Sequence, residues 1–284
     1  MNSQEEKVAL SAASQNLNLQ ERILERRKPS STNLASGPES DQLYREYVTR
    51  RLETSFVSLV EALDITTSFE IGAHEASFSM EIASKIENAN CYAFEANPIV
   101  FEKYEKEVEE SGVVYLNQAI SEKASNTVFH VPIKDNGKYA KTLGSLSRDK
   151  NYKNFKEYEV HTTSLNKFKE KVPESCVLWI DVEGHAGEVV EGALEILCVT
   201  EAIYIEMETR QRWEEQKTDL QIMEILLPLG FVPILRDVQR FEWQYNAIFV
   251  HHSKLHKEPV KKIIEHWQEE MLLGSIGKLY SEID

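Results

Sequence analysis

The chain has 284 residues, 42% of them hydrophobic, which is enough for one large α/β domain or two small ones with a sizeable core. Lysine and arginine total 32 against 47 aspartate and glutamate, giving a formal net charge of -15. This charge repels phosphate backbones and anionic lipid headgroups, so neither nucleic acid nor a membrane surface is the expected partner. The longest apolar run, residues 222–235, is broken by charged, proline and glycine residues, and no signal peptide or transmembrane span is predicted.

The cysteines indicate a reducing environment. Cys91, Cys176 and Cys198 form an odd set without CxxC spacing, and each lies in an apolar or strand-like run. This pattern predicts three buried thiols that serve packing, and it disfavours zinc sites and disulfides. A catalytic thiol is the alternative, but it needs a convergent base. We therefore expect a cytoplasmic protein.

The N-terminal region divides into a tail and a helix. Residues 1–40 are rich in Ser, Asn, Gln and Glu, and residues 29–38 have the composition of a linker, which predicts a flexible tail. From 41 to 63 apolar residues recur at helical spacing. We expect this amphipathic helix, within a segment at 41–66, to cover one edge of the following domain.

Residues 67–252 alternate between short apolar strands and helix-length segments. The predicted strands are 68–71, 91–94, 113–119, 177–182, 202–207, 231–235 and 245–250, and the predicted helices are 77–85, 99–110, 187–197 and 220–229. Strict alternation implies parallel βαβ units, and the last two adjacent strands imply an antiparallel edge. The predicted fold is a mostly parallel seven-stranded sheet with an antiparallel edge strand and helices on both faces.

Two further segments flank this pattern or interrupt it. Strands are predicted at 127–131 and 159–163 around a polar loop at 135–156, which is long enough to form a lid or a substrate-binding insert. Residues 253–284 are predicted to form a C-terminal helical extension.

The first strand ends in a loop suited to a nucleotide. Its sequence, FEIGAHEASFS at 69–79, places Glu70, Gly72 and Ala73 in the turn before a helix, where small residues and free N–H groups admit a ligand. A tight turn that simply needs Gly72 is an equal alternative. His74 and Ala76 stand where a dinucleotide fingerprint has glycines, which disfavours NAD.

The second strand ends at Glu95 in YAFEANP. An acidic side chain there accepts hydrogen bonds from both ribose hydroxyls of an adenosine. Alternatively, Glu95 is a polar residue near the start of the next helix, which Asn97 and Pro98 open. Because Glu95 follows the Gly72 loop at the distance of one βαβ unit, the ribose role is favoured.

The motifs together resemble one family. In order they are FEIGAHEASFS (69–79), AFEANP (93–98), NQAIS (117–121), LGSLS (143–147), WIDVEGHAGEVVEGA (179–193) and IEME (205–208). This series resembles the FkbM-type methyltransferases over roughly residues 67–250. The resemblance implies a Rossmann-like class I methyltransferase fold, S-adenosylmethionine as the methyl donor, and a hydroxyl of a sugar or small metabolite as the acceptor. The partner expected is thus a small-molecule or saccharide acceptor.

The resemblance also implies the site. Cofactor contacts are expected from Glu70, Gly72, Ala73, His74, Ser77, Glu95, Ala96, Ala119, Ser145 and Asp181. Asp181 and His185 follow the fourth main strand and are the candidate catalytic residues, either one as general base. Asp181 and Glu183 holding a divalent cation is an alternative, although we assign no metal ligands. A third possibility is that Asp181 caps the next helix while Glu183 orients loop N–H groups. Glu206, at the end of the next strand, either contacts substrate or is merely solvated.

Four positions depart from the family pattern. Glu70, His74, Ala76 and Trp179 stand where the family typically has Asp, Asn, Gly and Lys. The Ala76 methyl, if it lies along the path of the cofactor, is either tolerated or lowers affinity. The alternative function is therefore a non-catalytic nucleotide-binding or scaffold protein with a drifted methyltransferase fold. An NAD-dependent oxidoreductase is a third hypothesis, which the missing glycines disfavour.

Overall fold

The computed structural model describes residues 38–237 and 243–281, so most of the predicted tail lies outside the described residues. In chain order the helices and strands are α1 (Pro38–Ala62), β1 (Thr67–Ile71), α2 (Ser77–Lys85), β2 (Asn90–Phe94), α3 (Pro98–Glu110), β3 (Val114–Leu116), β4 (Ala119–Ile120), β5 (Ser125–Pro132), β6 (Phe155–Thr163), β7 (Cys176–Ile180), α4 (Ala186–Glu191), α5 (Leu194–Leu197), β8 (Thr200–Glu208), α6 (Asp219–Leu226), β9 (Phe231–Arg236), β10 (Gln244–His251) and α7 (Glu258–Ser281). Three short 3-10 helices occupy Lys141–Leu143, Leu165–Lys171 and His252–Lys254.

The large sheet confirms the predicted architecture. Its order is β3-β2-β1-β7-β8-β10-β9, and all neighbours from β3 to β8 pair in parallel. The antiparallel strand is β10, which lies between β8 and β9 and therefore one position in from the edge. The strand order reverses between β1 and β7, and the carboxyl ends of strands at such a reversal are where open α/β sheets bind ligands.

Helices cover both faces of the sheet. One face packs beneath α1, where Leu52, Phe56, Leu59 and Val60 are almost completely buried at helical spacing. The prediction that this helix covers an edge was wrong, since α1 crosses the face over β8 and β10 and also contacts α7. A wide apolar stripe removes more surface from water on a face than along an edge, which explains the position.

Two predicted elements are divided in the structure. The strand expected at 113–119 ends at Leu116, and the next residue, Asn117, donates from Nδ2 to the carbonyl oxygen of Glu95 at 2.8 Å. The helix expected at 187–197 breaks after Glu191, where a Cβ on Gly192 would lie 2.0 Å from the carbonyl oxygen of Ser121. Both breaks bring residues 117–121 close to the ends of the main strands.

A small sheet, with the order β4-β6-β5, forms the insert. The two strands predicted within it are confirmed and are longer, and they pair antiparallel from Ser125 opposite Thr162 to Pro132 opposite Phe155. The polar loop between them reaches the segment that follows β8. There Asp149 forms an isolated bridge with Trp213, and the Asp149 carboxylate pairs with Arg212 at 2.7 Å.

The cysteines follow the prediction in part. Cys91 and Cys176 are buried free thiols, as expected. Cys198 is exposed, contrary to the prediction, because it caps the carboxyl end of α5 and its Sγ contacts the carbonyl of Leu194 at 3.4 Å. Within the described ranges, no helix has both the length and the apolar character needed to cross a membrane.

Candidate active site

A cavity of about 320 Å³ lies at the carboxyl ends of β1, β2, β7 and β8, roofed by the insert. This volume is in the range of small-molecule sites, about 300–1,000 Å³. Of the predicted cofactor contacts, the cavity is lined by Gly72, His74, Glu95, Ala96, Ala119 and Ser145. The two predicted catalytic residues, Asp181 and His185, also line it. The structure thus brings most of the predicted site together at the strand-order reversal.

Gly72 joins the first loop to the end of β7. Its φ is +80°, and a Cβ there would lie 1.9 Å from the carbonyl oxygen of Asp181. Nearby, the Asp181 amide donates to the carbonyl of Ile71 at 2.9 Å, while the amides of Gly72 and Ala73 both donate to Phe94. Only a residue without a side chain permits this approach. Gly72 therefore sets the distance between the first loop and Asp181.

Glu70, Ala73 and Ser77 do not line the cavity. The Glu70 carboxylate accepts hydrogen bonds from the amides of Phe78 at 3.4 Å and Ser79 at 2.8 Å, in the first turn of α2. Burial raises the pKa of Glu70 to about 7, and the bonds from Ser79 oppose that shift. Glu70 is therefore better described as the anchor of α2 than as a direct cofactor ligand, which corrects the sequence-based assignment.

Glu95 lines the cavity with both carboxylate oxygens held in place. Oε2 accepts from the amide of His74 at 2.8 Å, and Oε1 accepts from the amide of Asn97 at 2.6 Å. Asn97, and not Glu95, caps α3, by accepting from Ile99 at 3.1 Å. Burial raises the pKa of Glu95 to about 7, and the two amide bonds oppose this. Each carboxylate oxygen retains lone-pair capacity for a ligand hydroxyl.

Asp181 opens into the cavity from the end of β7. Its side chain is exposed to the cavity although protein surrounds it on the other sides, and burial, followed by the charge of Asp237, raises its pKa to about 6. The N-cap of α4 is His185, so Asp181 lies outside the helix that it was suggested to cap. Asp181 is therefore free to face a ligand.

His185 belongs to a chain of polar contacts. Its Nε2 is 3.0 Å from Oγ of Ser121, and its Nδ1 is 3.6 Å from Oε2 of Glu188. Glu188 is in turn held by Lys217 at 2.7 Å. Burial lowers the pKa of His185, so the imidazole is neutral at pH 7 and can accept a proton. Neither Ser121 nor Glu188 was recognised from the sequence.

Ser145 connects the insert to the site. Its hydroxyl donates to the backbone carbonyl of Glu183, and its amide donates to the carbonyl of His130 at 3.0 Å. Ser145 therefore lines the cavity as predicted, although its hydroxyl is already hydrogen-bonded to the Glu183 carbonyl. This contact fixes the loop of the insert above the end of β7.

Four carboxyl groups are concentrated after β7 and near the end of β8. Burial and the neighbouring Asp181 raise the pKa of Glu183 to about 8, and burial and Glu183 raise that of Glu206 well above its ordinary value. Glu208, which sequence reasoning did not select, has a pKa raised to about 7, chiefly by burial. Arg212 opposes the shifts at Glu183 and Glu208. The alternation of β8 places Glu206 and Glu208 on one face, a signal that was present in the sequence.

The comparison with protein families decides the assignment. Residues 70–233, more than half of the chain, match the Methyltransferase FkbM domain. The chain belongs to the FkbM methyltransferase family. It is therefore a methyltransferase and not an oxidoreductase, and its methyl donor is S-adenosylmethionine. No curated protein matches the chain significantly.

Solved structures resemble this FkbM methyltransferase distantly. Magnesium protoporphyrin IX methyltransferase from Synechocystis PCC 6803, crystallised with bound SAH, is 12% identical, with 84% of this chain and 94% of that chain covered and a TM-score of 0.43. The Methanococcus jannaschii fibrillarin pre-rRNA processing protein is also 12% identical, with 66% and 67% covered and a TM-score of 0.40. The assignment depends on the family match and not on these similarities.

Two departures from the FkbM pattern lie away from the cavity. Ala76 has φ +52° and is completely buried, so its methyl packs in the core and does not obstruct the cavity. Trp179 stacks on Tyr204 with ring centroids 3.7 Å apart, and on Phe78 at 4.9 Å, beneath α1. These substitutions change the packing of the core and leave the cavity lining intact, which removes the main observation behind the scaffold hypothesis.

Proposed function

We propose that this methyltransferase methylates a hydroxyl group of a sugar or other small metabolite in the cavity at the ends of β1, β2, β7 and β8. The observation that carries the proposal is that Glu95, Asp181 and His185 line one cavity. Glu95 suits an adenosine ribose, and Asp181 and His185 suit a reacting hydroxyl.

The part of the cavity that Glu95 lines fits the adenosine part of the methyl donor. Glu95 presents two carboxylate oxygens that backbone amides have already oriented, and each can accept one ribose hydroxyl. His74 and Ala96 lie beside it on the cavity wall. The Gly72 loop then continues toward Asp181, which gives the remainder of the donor a path along the backbone.

Methyl transfer requires alignment and removal of one proton. When bound, S-adenosylmethionine supplies an electrophilic methyl group on a sulfonium centre. Asp181 orients the acceptor hydroxyl in the cavity, and His185 accepts its proton on Nε2 as the oxygen attacks. Ser121, at 3.0 Å from that nitrogen, holds the ring until the acceptor arrives. Glu188 faces the other ring nitrogen and favours the resulting imidazolium.

Transfer of tritiated methyl groups to a panel of sugars and other hydroxyl compounds tests the proposal. Asp181→Asn and His185→Ala should each reduce transfer by at least about tenfold, since positioned acid–base groups contribute roughly 10²–10⁴-fold. Binding of S-adenosylhomocysteine should change little. Asp64→Asn, at an exposed position that does not line the cavity, is the matched control and should transfer methyl groups normally. Normal turnover in both site variants would show that the base lies elsewhere.

We also propose a cytoplasmic location. The three cysteines lie in the part of the chain that the structure describes, and all three are free thiols. An exposed free thiol such as Cys198 is typical of a reducing compartment.

A further inference from the structure

The cavity and its immediate surroundings contain more carboxyl groups than methyl transfer requires. We define the acidic cluster as Asp181, Glu183, Glu206 and Glu208, of which the first three line the cavity. Repulsion from Asp181 raises the pKa of the other three members, and Glu183 and Glu208 both add to the shift at Glu206. Like charges grouped in a buried site are unfavourable unless protons or another positive group compensate them.

Three cluster oxygens have no hydrogen-bond partner among the described residues. They are Oε2 of Glu183, Oε1 of Glu206 and Oε1 of Glu208, all three atoms are buried, and the first two belong to side chains that line the cavity. A buried polar atom without a partner costs about 1–3 kcal/mol, and such atoms in a native protein call for an explanation. Two of them on one cavity wall indicate a ligand that donates hydrogen bonds.

The charges near the cluster indicate that the ligand which donates these hydrogen bonds is positively charged. No lysine or arginine is among the described residues that line the cavity. The charge of Arg212 acts on Glu183 and Glu208, but the buried Asp149 already pairs with Arg212 at 2.7 Å. The methyl donor brings a net charge of about one, because its amino and carboxylate groups cancel, whereas the cluster has four carboxyl groups. A neutral hydroxyl could donate a hydrogen bond to the unpartnered oxygens, but it would not compensate the negative charge of the cluster.

A divalent cation is the other positive ligand to consider. It requires several oxygen or nitrogen ligands that converge at one point. In the described ranges, no group of three or more His, Cys, Asp or Glu side chains has such an arrangement. An organic ammonium group makes fewer geometric demands, since its N–H donors can reach two separate carboxylates.

We propose that the methyl acceptor carries a protonated amine near its reacting hydroxyl, and that Glu183 and Glu206 bind this ammonium group. The acceptor class is thus an amino sugar or a related amino alcohol. This inference rests on the proposed function, because it places the amine beside the hydroxyl that Asp181 and His185 engage. Binding of the ammonium group would also hold both glutamates in their ionised form.

Matched pairs of compounds test the inference in protein loaded with S-adenosylhomocysteine. Glucosamine and glucose, galactosamine and galactose, and ethanolamine and ethylene glycol differ in one amine. We expect calorimetric titration to show that at least one amine binds about tenfold or more tightly than its neutral twin. Glu206→Gln and Glu183→Gln should lose most of that preference while they retain S-adenosylhomocysteine affinity. Glu214→Gln, at an exposed position that lines a second pocket, should retain the preference for the amine.

The outcomes separate this inference from the proposed function. If S-adenosylhomocysteine binds but no amine in the panel exceeds its twin, the inference is overturned and the methyltransferase site stands. Micromolar binding of Mg²⁺ or Mn²⁺ that Glu206→Gln abolishes would also overturn it, in favour of a metal site. If S-adenosylhomocysteine does not bind at all, the proposed site and the inference both fail.

Discussion

Replacing Gly72 by alanine tests the contact that brings the first loop to Asp181. Gly112 is a matched control, because its φ is also positive and nearly the same, +88° against +80°. The surroundings differ. A Cβ at Gly72 would lie 1.9 Å from the carbonyl oxygen of Asp181, whereas a Cβ at Gly112 would meet nothing within 4 Å. The pair therefore separates backbone strain from steric conflict.

The expected magnitudes follow from these two terms. Both variants incur the left-handed penalty of about 1–2 kcal/mol, offset in part by about 0.4–1 kcal/mol from a less flexible unfolded chain. Gly112→Ala should thus lower the free energy of unfolding by at most about 1.6 kcal/mol. Gly72→Ala adds about 1–3 kcal/mol for overpacking against backbone that cannot rotate away. Since 1 kcal/mol corresponds to roughly 2–4 °C in a domain of this size, the Tm should fall several degrees further in Gly72→Ala.

Differential scanning calorimetry and titration with S-adenosylhomocysteine measure the two consequences. Gly112→Ala should bind the ligand normally. Gly72→Ala should bind the ligand at least about tenfold more weakly, since the loop and Asp181 must separate to make room for the alanine side chain. Equal Tm values and equal affinities in the two variants would refute the close approach of these two segments.

Two further predictions concern the acidic cluster and the aromatic packing. The raised pKa of Glu183, about 8 against 4.5, and that of Glu208, about 7, mean that the folded state retains protons that the unfolded state releases. The stability that these protons contribute is complete below the pKa of the unfolded state and is lost as the pH rises toward 8, so the Tm should fall between pH 6 and pH 8.5. Glu206→Gln should make the Tm less dependent on pH and raise the Tm at pH 8 by about 2–4 °C. An unchanged pH dependence of the Tm by calorimetry would contradict this. Trp179→Lys, which restores the residue typical of the family, should lower the free energy of unfolding by about 3–5 kcal/mol because it removes the stack on Tyr204. Trp179→Phe should recover much of this in chemical denaturation, and a stable lysine variant would show that the stack is dispensable.

The sequence predicted those features that follow from strand topology. Glu95, Asp181 and His185 come directly after strands or in the loop that follows, and parallel strands end at one edge of the sheet. Their convergence on one cavity could therefore be expected from position alone. The family motifs added the identity of the donor, which topology does not specify.

Features that depend on side-chain direction or distant packing were not predicted. Glu70 is adjacent to Ile71, which lines the cavity, but successive side chains on a strand point to opposite faces, and Glu70 points toward α2. Ser121 and His185 are 64 residues apart, and Arg212 and Asp149 are 63 apart, so no local pattern connects them. These contacts depend on how the insert docks, which a single sequence does not reveal.

Calorimetric titration of the wild type and two Glu95 variants with S-adenosylhomocysteine tests the central claim most directly. A buried carboxylate that accepts ribose hydroxyls contributes about 1.5–3 kcal/mol per bond, and 1.4 kcal/mol corresponds to tenfold in affinity. The wild type should bind, Glu95→Ala should bind at least about tenfold more weakly while it remains folded, and Glu95→Gln should lie between them. Equal binding by wild type and Glu95→Ala would contradict the placement of the donor, and absence of binding by the wild type would contradict the function.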